Sequence, residues 1–493
     1  MALLSQFLHS ASASWSTLLA EIVLLALLAL VINGLRAWYP LRAFKGPFLA
    51  NFSDLWIIRH VAGVSMHSDL FEITEKYGSI ARVGSNTLVT SDPNLLRKIL
   101  SVRTQYKRSD WYDGMRFDPS RDNVLSQRDD EKHNILRAKM AAGYSGKEVE
   151  GLEKSIDDNV LAFINLIERK YVSTKAEYKP VDFARITSYF TLDTISTIAF
   201  GEPFGDLATD SDVHRYIETT EEALPVIILV TAIPWLSKLL QTSFVKKFLP
   251  SEKDKIGLGR IIGLAKEVVG KRFGPNKVVK SDMLGSFVNH GLTQEEAESE
   301  SLVQIIAGSD TTATAIRATL LHILTNPHVL FGLLAEIAEF SPSSPIQDAE
   351  ARKMPYLQAI IKEGLRIFPP VTGLSSKTTP PGGDTLNGHF IPEGTKKIWG
   401  EDSHVFRPER WLESSAEDLR NMEANLEFVF SYGRWQCLGR NVALIELNKV
   451  FVELLRRFDM SLVDPLKPWN SVCCGIFMQK QMWMRISKRA QVL

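Results

Sequence analysis

Residues Phe430–Arg440 read FSYGRWQCLGR, and the fold turns on how this stretch is understood. It holds Cys437 between Gly433 and Gly439, in a chain whose only other cysteines are Cys473 and Cys474. Downstream, Leu447, Val450, Phe451, Leu454, Leu455 and Phe458 recur at three- and four-residue spacing, which predicts an inward-packed helix over 441–458. Cys437 therefore precedes a helix N-terminus, where unpaired N–H groups and the helix dipole favour a thiolate over a thiol. The two glycines let backbone approach something bulky.

A haem iron suits this arrangement. A lone thiolate pushes electron density to iron, and N–H groups near the sulfur tune that push. A buried structural cysteine beside turn glycines is the alternative reading of the motif by itself.

Working outward, 493 residues allow two or three domains or one large body. Lys plus Arg equals Asp plus Glu at 57 each, which argues against nucleic acid as a partner. Three cysteines make neither a disulfide framework nor a four-ligand zinc site. The run TLLAEIVLLALLALVINGLRAW, Thr17–Trp38, is almost uniformly apolar, and roughly 20 helical residues span a bilayer. Basic residues follow it at Arg36, Arg42 and Lys45, which predicts an uncleaved single-pass anchor (residues 1–38) with the body cytosolic. On that topology the sequon at Asn51 faces the wrong compartment. Residues 39–50, rich in proline and basic groups, read as a tether, and 51–493 as one mainly α-helical domain with small β sheets. Two short strands are expected over 79–93 and further sheet after Pro468.

Thr293 stands three residues before Glu296, a capping-box signature that opens a helix running to Asn326–Pro327. Midway, IIAGSDTTATAI sets Gly308, Asp310, Thr311 and Thr312 in apolar surroundings at a cost in helix stability. Either this is a hydroxyl-rich seam bonding its own carbonyls, or a local opening where Thr311 and Asp310 handle oxygen and protons. Pro355 opens another helix in which Glu363 and Arg366 lie on one face. His133 and Arg137, four apart, share a face of a third.

Phe430, Gly433, Cys437 and Gly439 resemble the Phe-x-x-Gly-x-x-x-Cys-x-Gly signature of the cytochrome P450 haem-thiolate monooxygenases. The resemblance covers almost the whole chain and is nearest to fungal microsomal members such as the pisatin demethylase-like enzymes. It implies the P450 fold, haem b as cofactor and Cys437 as the iron ligand. It also implies Asp310 and Thr311 as the oxygen-activation pair, Glu363, Arg366 and Arg410 as a structural charge cluster, and His133 with Arg137 as propionate partners. Lys377 is a further candidate for the last task. One departure is that Trp435, with Arg434 before it, occupies the place of the family's basic residue next to a propionate.

The implied pocket segments are 111–125, 304–311, 371–375 and 472–477, an apolar lining suited to a hydrophobic small molecule. Cys473 and Cys474 read as small fillers there. The implied reaction is insertion of one oxygen atom of O2, as hydroxylation or O-demethylation, in fungal specialised metabolism. No flavin, dinucleotide or iron–sulfur motif is visible, so electrons are expected from a membrane-bound NADPH reductase, in the endoplasmic reticulum. Arg434, Arg440 and Lys449 are candidates to receive it. Against the family pattern, about 15 residues are missing near 395–399, enough for one strand and its connection. Two other functions stay open: a haem-thiolate isomerase or dehydratase, and an anchored non-catalytic protein impaired by the missing segment.

Overall fold

The computed structural model describes residues 2–490 apart from 119–120, 243, 246–248, 250, 255–256, 373–375 and 381–404. The shortened interval at 395–399 lies outside the described residues. The chain divides into two compact units, Met1–His60 with Ser68–Asp92, and Val61–His67 with Pro93–Leu493.

In the first unit, helix α1 (Ala2–Trp38) carries the apolar stretch Thr17–Arg36, with a mean hydropathy of 2.5 and its large apolar side chains exposed. Among the described residues it is the one helix that is, unbroken, long and apolar enough to cross a membrane. Strands β1 (Ile80–Gly84) and β2 (Thr87–Thr90) form the expected hairpin, with Ala81 opposite Val89. Ala50, Trp56, Ile73, Ala81 and Val83 build its core. Arg82 is buried with them, because its guanidinium donates to the carbonyls of Trp38, Gly84 and Ser85.

The second unit is mainly helical. Its helices used below are α2 (Asp130–Tyr144), α3 (Phe183–Phe200), α4 (Tyr216–Thr231), α5 (Gln294–Thr325), α6 (Pro355–Ile367) and α7 (Arg440–Leu455). Its strands are β3 (Lys107–Arg108), β4 (Val181–Asp182), β5 (Lys377–Thr378), β6 (Phe458–Leu462), β7 (Asn470–Cys473), β8 (Phe477–Lys480) and β9 (Trp483–Lys488). They make three small antiparallel sheets: β3 with β5, β7 with β8, and β4–β9–β6.

Helix α5 has 32 residues, roughly 48 Å at 1.5 Å per residue. Its start is the predicted box: Glu296 N–H donates to Thr293 Oγ1 at 3.2 Å, and Thr293 N–H to Glu296 Oε2 at 3.0 Å. It is buried on nearly every face, as a helix through the centre of a large body must be. Gly308 permits a close crossing with α3, since a Cβ there would stand 2.8 Å from Ile195 Cγ1. The helix expected over 441–458 ends at Leu455. Phe458 instead opens β6, where Phe458 and Met460 point inward and Asp459 outward, a two-residue period that the helical reading absorbed.

Candidate functional site

The loop before α7 folds back on itself through Cys437 N–H donating to Phe430 O at 2.7 Å. Gly433 takes φ +64°, and a Cβ on it would stand 2.4 Å from Leu100 O, so both the turn and the close approach demand glycine. Gly439 has an ordinary φ. A Cβ there would meet only Cys437 Sγ, at 3.8 Å, so the glycine keeps clear the space beside the sulfur.

Cys437 is exposed, yet burial is the largest influence on its thiol and raises it. A sulfur with open surface inside desolvating surroundings faces a cleft in the protein and not bulk water. The N–H groups of Gly439 and Arg440 and the charge of Arg137 work in the thiolate's favour, as the helix-terminus argument expects, but burial outweighs them. The thiolate thus needs a bound cation.

Tyr144, half-buried at the end of α2, feels Cys437 on one side and reaches Gln304 of α5 on the other. Gln304, Ala307 and Thr311 fall on one helical stripe. Ala307 is exposed and Gly308, Asp310 and Thr311 are half-buried, in the middle of a helix otherwise closed. The helix is continuous here, so the expected opening is an uncovered face and not a break. Thr311 Oγ1 donates to Ala307 O at 2.7 Å, the hydroxyl-to-carbonyl seam, which leaves its oxygen free to accept. Burial pushes the Asp310 carboxyl up to about 6, while Arg317 pulls it down, Glu221 raises it and Tyr216 lowers it.

Trp435 is the centre of a donor cluster. Lys377 Nζ lies 3.7 Å from its ring centroid, Arg108 Cζ 4.1 Å, and the His133 ring 4.3 Å. Arg108 and Lys377 are register partners in the β3–β5 pair, two cations directly opposite each other. Burial, then Arg108, lowers Lys377 to about 7; burial also lowers Arg108 to about 10. Trp435 Nε1, Arg108 Nε, Lys377 Nζ and His133 Nδ1 are all buried without a partner. Buried donors facing no acceptor, with cations forced together, fit a group that brings its own carboxylates. The cleft beside Cys437, the glycine that clears it and this donor cluster therefore fit haem and its propionates.

Arg108 was not singled out by sequence, whereas Trp435 was, at the place of the family's basic residue and with its indole N–H as a candidate donor. A two-residue strand carries no periodic signal, and the register that sets Arg108 against Lys377 spans the chain. His133, expected with Arg137 as a propionate partner, is buried against the Trp435 ring. Burial, then Arg108, lowers it to about 3, so it is neutral and offers at most an N–H. Arg137, half-buried, lies close enough to Cys437 to feel its charge. Arg434, expected as a propionate partner from a shifted position, pairs with Asp130 at 3.0 Å and donates to Val102 O, while its Cζ lies 6.0 Å from the Trp435 ring centroid and its Nε is buried without a partner.

Glu363, Arg366 and Arg410 meet as one cluster. Glu363 is fully buried and accepts from Arg366 Nε and Nη2 at 2.9 Å, Arg410 Nε at 3.1 Å and Trp411 Nε1 at 2.9 Å. Lys449 is a correction: it is completely buried, bonded to Glu153 and Asp157 at 2.7 Å each, so it is not a docking cation for a reductase. Cys473 and Cys474 are buried and free, and Cys473 Sγ meets Thr372 Oγ1 at 3.3 Å. Of the expected pocket segments, 119–120 and 373–375 lie outside the described residues.

A helical body that turns one cysteine into a desolvated cleft, beside a helix face carrying an acid and an alcohol, has the parts of a haem-thiolate oxygenase. The comparisons agree: the cytochrome P450 family model matches residues 46–482, and the chain belongs to that family. It is 41% identical to "Cytochrome P450 monooxygenase ABA1" of Pyricularia oryzae over 512 positions, covering 99% of each chain. That exceeds the 493 residues present, so the comparison opens gaps in this chain. It is 38% identical to "Cytochrome P450 monooxygenase aba1" of Botryotinia fuckeliana, over 91% of this chain and 92% of that one. It is 28% identical to "Cytochrome P450 monooxygenase mpaDE'" of Penicillium brevicompactum, over 93% of this chain and 56% of that longer protein. The chain is an enzyme of the monooxygenase class.

Proposed function

We propose that this enzyme binds haem b through Cys437 and inserts one oxygen atom of O2 into a hydrophobic small molecule, by hydroxylation or O-demethylation. Electrons come from a membrane-bound NADPH reductase, and α1 holds the protein in the endoplasmic reticulum membrane with its body in the cytosol. The relatives named above are fungal monooxygenases, and the reading includes a place in specialised metabolism. The observation that carries the reading is Cys437: an open sulfur in desolvating surroundings, next to a glycine that keeps the adjoining space empty.

Haem bound there would supply the reductive activation of O2, which consumes two electrons and two protons for each oxygen atom inserted. The chain's own residues do the rest. Arg108, Lys377 and the Trp435 indole N–H are the donors for the propionates, and Arg137 offsets the negative sulfur. Asp310, raised by burial to about 6, exchanges a proton close to neutral pH, and the oxygen of Thr311, next to it in sequence, is free to accept a hydrogen bond. The apolar segments around this face exclude water and hold substrate by shape.

The test is the carbon monoxide difference spectrum of the reduced, membrane-extracted protein beside Cys437→Ala. A thiolate-type Soret band that is lost in the variant supports the reading. Folded protein that takes up no haem, or whose band is unchanged by the substitution, overturns it, and in the first case points to the segment missing near 395–399.

A further inference from the structure

The loop that leads into α2 is braced by its own side chains. Asn123 Oδ1 accepts from the N–H groups of Leu125 and Ser126 at 2.9 and 2.8 Å, and Asn123 Nδ2 donates to Met115 O at 3.1 Å. Ser126 Oγ accepts from Asn123 N–H at 2.9 Å and donates to Asp122 Oδ1 at 2.9 Å. Asn123 and Ser126 are fully buried, so residues 122–127 form a stiff unit held by bonds of its own. Such a unit moves as a whole, and its place is set by what grips it from outside.

Two of those grips meet at one residue. Val124 N–H donates to Glu300 Oε1 of α5 at 2.7 Å, and Val124 O accepts from Arg108 Nη1 of β3 at 2.8 Å. Arg108 Nη1 also donates to Gln127 O at 2.9 Å. A further hold is Arg116, which donates to both Asp122 and Gln241 at 2.6 Å. Glu300 falls on the stripe of α5 that carries Gln304, Ala307 and Thr311, roughly 16 Å along the helix from Thr311. The loop is thus fastened to the face of α5 that is uncovered at Ala307.

Both anchors are unusual. Glu300 is 2% exposed, and among the described residues no cation pairs with it; burial pushes its carboxyl up to about 8, Val124 N–H lowers it and Glu296 raises it. A carboxyl that is mostly neutral at pH 7 offers Val124 an acceptor oxygen and not a charge. A buried acid without a cation is costly, and holding this loop is the task the structure shows for it. Arg108 is shared between two tasks. Its Nη1 is spent on the loop carbonyls, while its Nε is buried without a partner, on a guanidinium 4.1 Å from the Trp435 ring centroid. One side chain therefore faces both the loop and the place assigned to the propionates.

The geometry points to residues 122–127 as a wall of the substrate pocket that is pinned at Val124, by Glu300 from α5 and by Arg108 from the haem side, so that filling the haem site tightens the wall. A carboxylate on Arg108 Nε would fix the guanidinium, and with it the carbonyls that Nη1 holds. Glu300 and Arg108 are then positioning residues that decide which apolar molecules fit. The inference rests on the reading of Cys437 as haem ligand and of this segment as pocket lining.

Detergent-extracted, full-length protein provides the test, with and without haem, as the parent, Glu300→Leu, Glu300→Gln and Arg108→Lys. Hydrogen exchange is followed in the peptide spanning 121–128, and imidazole and 1-phenylimidazole are titrated against the Soret band. The unfolding midpoint and the carbon monoxide spectrum serve as controls for fold. Haem is expected to slow exchange several-fold in the parent and not in Arg108→Lys. Glu300→Leu should exchange faster in both states and bind 1-phenylimidazole several-fold more weakly, while imidazole, too small to need the wall, binds as before. Glu300→Gln keeps the acceptor and should match the parent. Exchange in the parent that ignores haem overturns the link through Arg108. Glu300→Leu that matches the parent in exchange and in 1-phenylimidazole affinity overturns the pin at Val124. Protein without a thiolate-type band fails the reading of Cys437 and the haem link with it, and the haem-free comparison of Glu300→Leu with the parent then decides the pin by itself.

Discussion

Glu363 Oε1 accepts from Arg410 Nε at 3.1 Å across 47 residues of chain, with one side chain fully buried and the other 2% exposed. Arg366, the Trp411 indole and the Arg407 backbone N–H share the same carboxylate, so five N–H donors depend on one acid. The cluster ties α6 to the segment that leads toward the ligand loop. Its worth lies in completeness, because each charge is tolerable only while the others are present.

Removing that acid is therefore predicted to be severe. Glu363→Leu leaves two buried guanidinium groups uncompensated and should cost about 3–5 kcal/mol, the range for breaking a buried pair. The check is the denaturant midpoint and the yield of haem-containing protein. Glu363→Gln, which retains acceptor and shape but not charge, should fall between that variant and the parent.

The two glycines of the ligand loop are predicted to separate in their effects. Gly433→Ala puts a side chain into a left-handed conformation, at about 1–3 kcal/mol, and drives its Cβ to 2.4 Å from Leu100 O. It should lower both the unfolding midpoint and the haem content. Gly439→Ala meets only an ordinary 3.8 Å contact with Cys437 Sγ, so the midpoint should hold while the haem spectrum shifts. Equal effects on the midpoint would contradict the different tasks assigned to the two positions.

These residues also show what sequence could and could not convey. The Thr293–Glu296 box and the Cys437 loop are local, so the start of α5 and the position before α7 were legible. Phe458 misled because one apolar residue satisfies a helical and an extended period equally. Lys449 was read as a surface cation because lysine rarely lies fully buried. Its compensation by Glu153 and Asp157 comes from another helix and leaves no trace near position 449. Arg108 and Glu300 were missed for the same reason: each acquires its meaning from partners far along the chain. His133 was picked out by its spacing from Arg137, but its charge depends on burial and on Arg108, which spacing does not encode.

Asp310 gives a prediction with a definite sign. Its carboxyl is raised from 3.8 to about 6, first by burial, so between those values the folded protein holds a proton that the unfolded chain has released. Stability therefore falls as pH rises through that window, and the cost is full above it. Asp310→Asn removes the cost and should melt at a higher temperature than the parent at pH 7.5. The advantage should shrink through pH 6 and vanish below about 4. An advantage that does not change with pH would mean that the carboxyl is not buried as described.

Lys377 and Arg108 yield a prediction whose sign reverses with haem. In the haem-free protein they are like charges directly opposite in the β3–β5 pair, an arrangement that costs about 0.2–1 kcal/mol. Lys377 is lowered to about 7 by burial and Arg108, so the folded state resists its protonation, and the cost is full below pH 7 and declines as pH rises above it. Lys377→Met should accordingly raise the unfolding midpoint of haem-free protein at pH 6 and change it less at pH 9. Haem bound there would bring carboxylates for which Arg108 and Lys377 are donors, so attraction would replace repulsion and the same substitution should speed haem loss. Transfer of haem to an excess of a haem-scavenging protein measures that rate. A variant that stabilises both forms, or weakens both, would show that the cluster around Trp435 is not where the carboxylates of the cofactor lie.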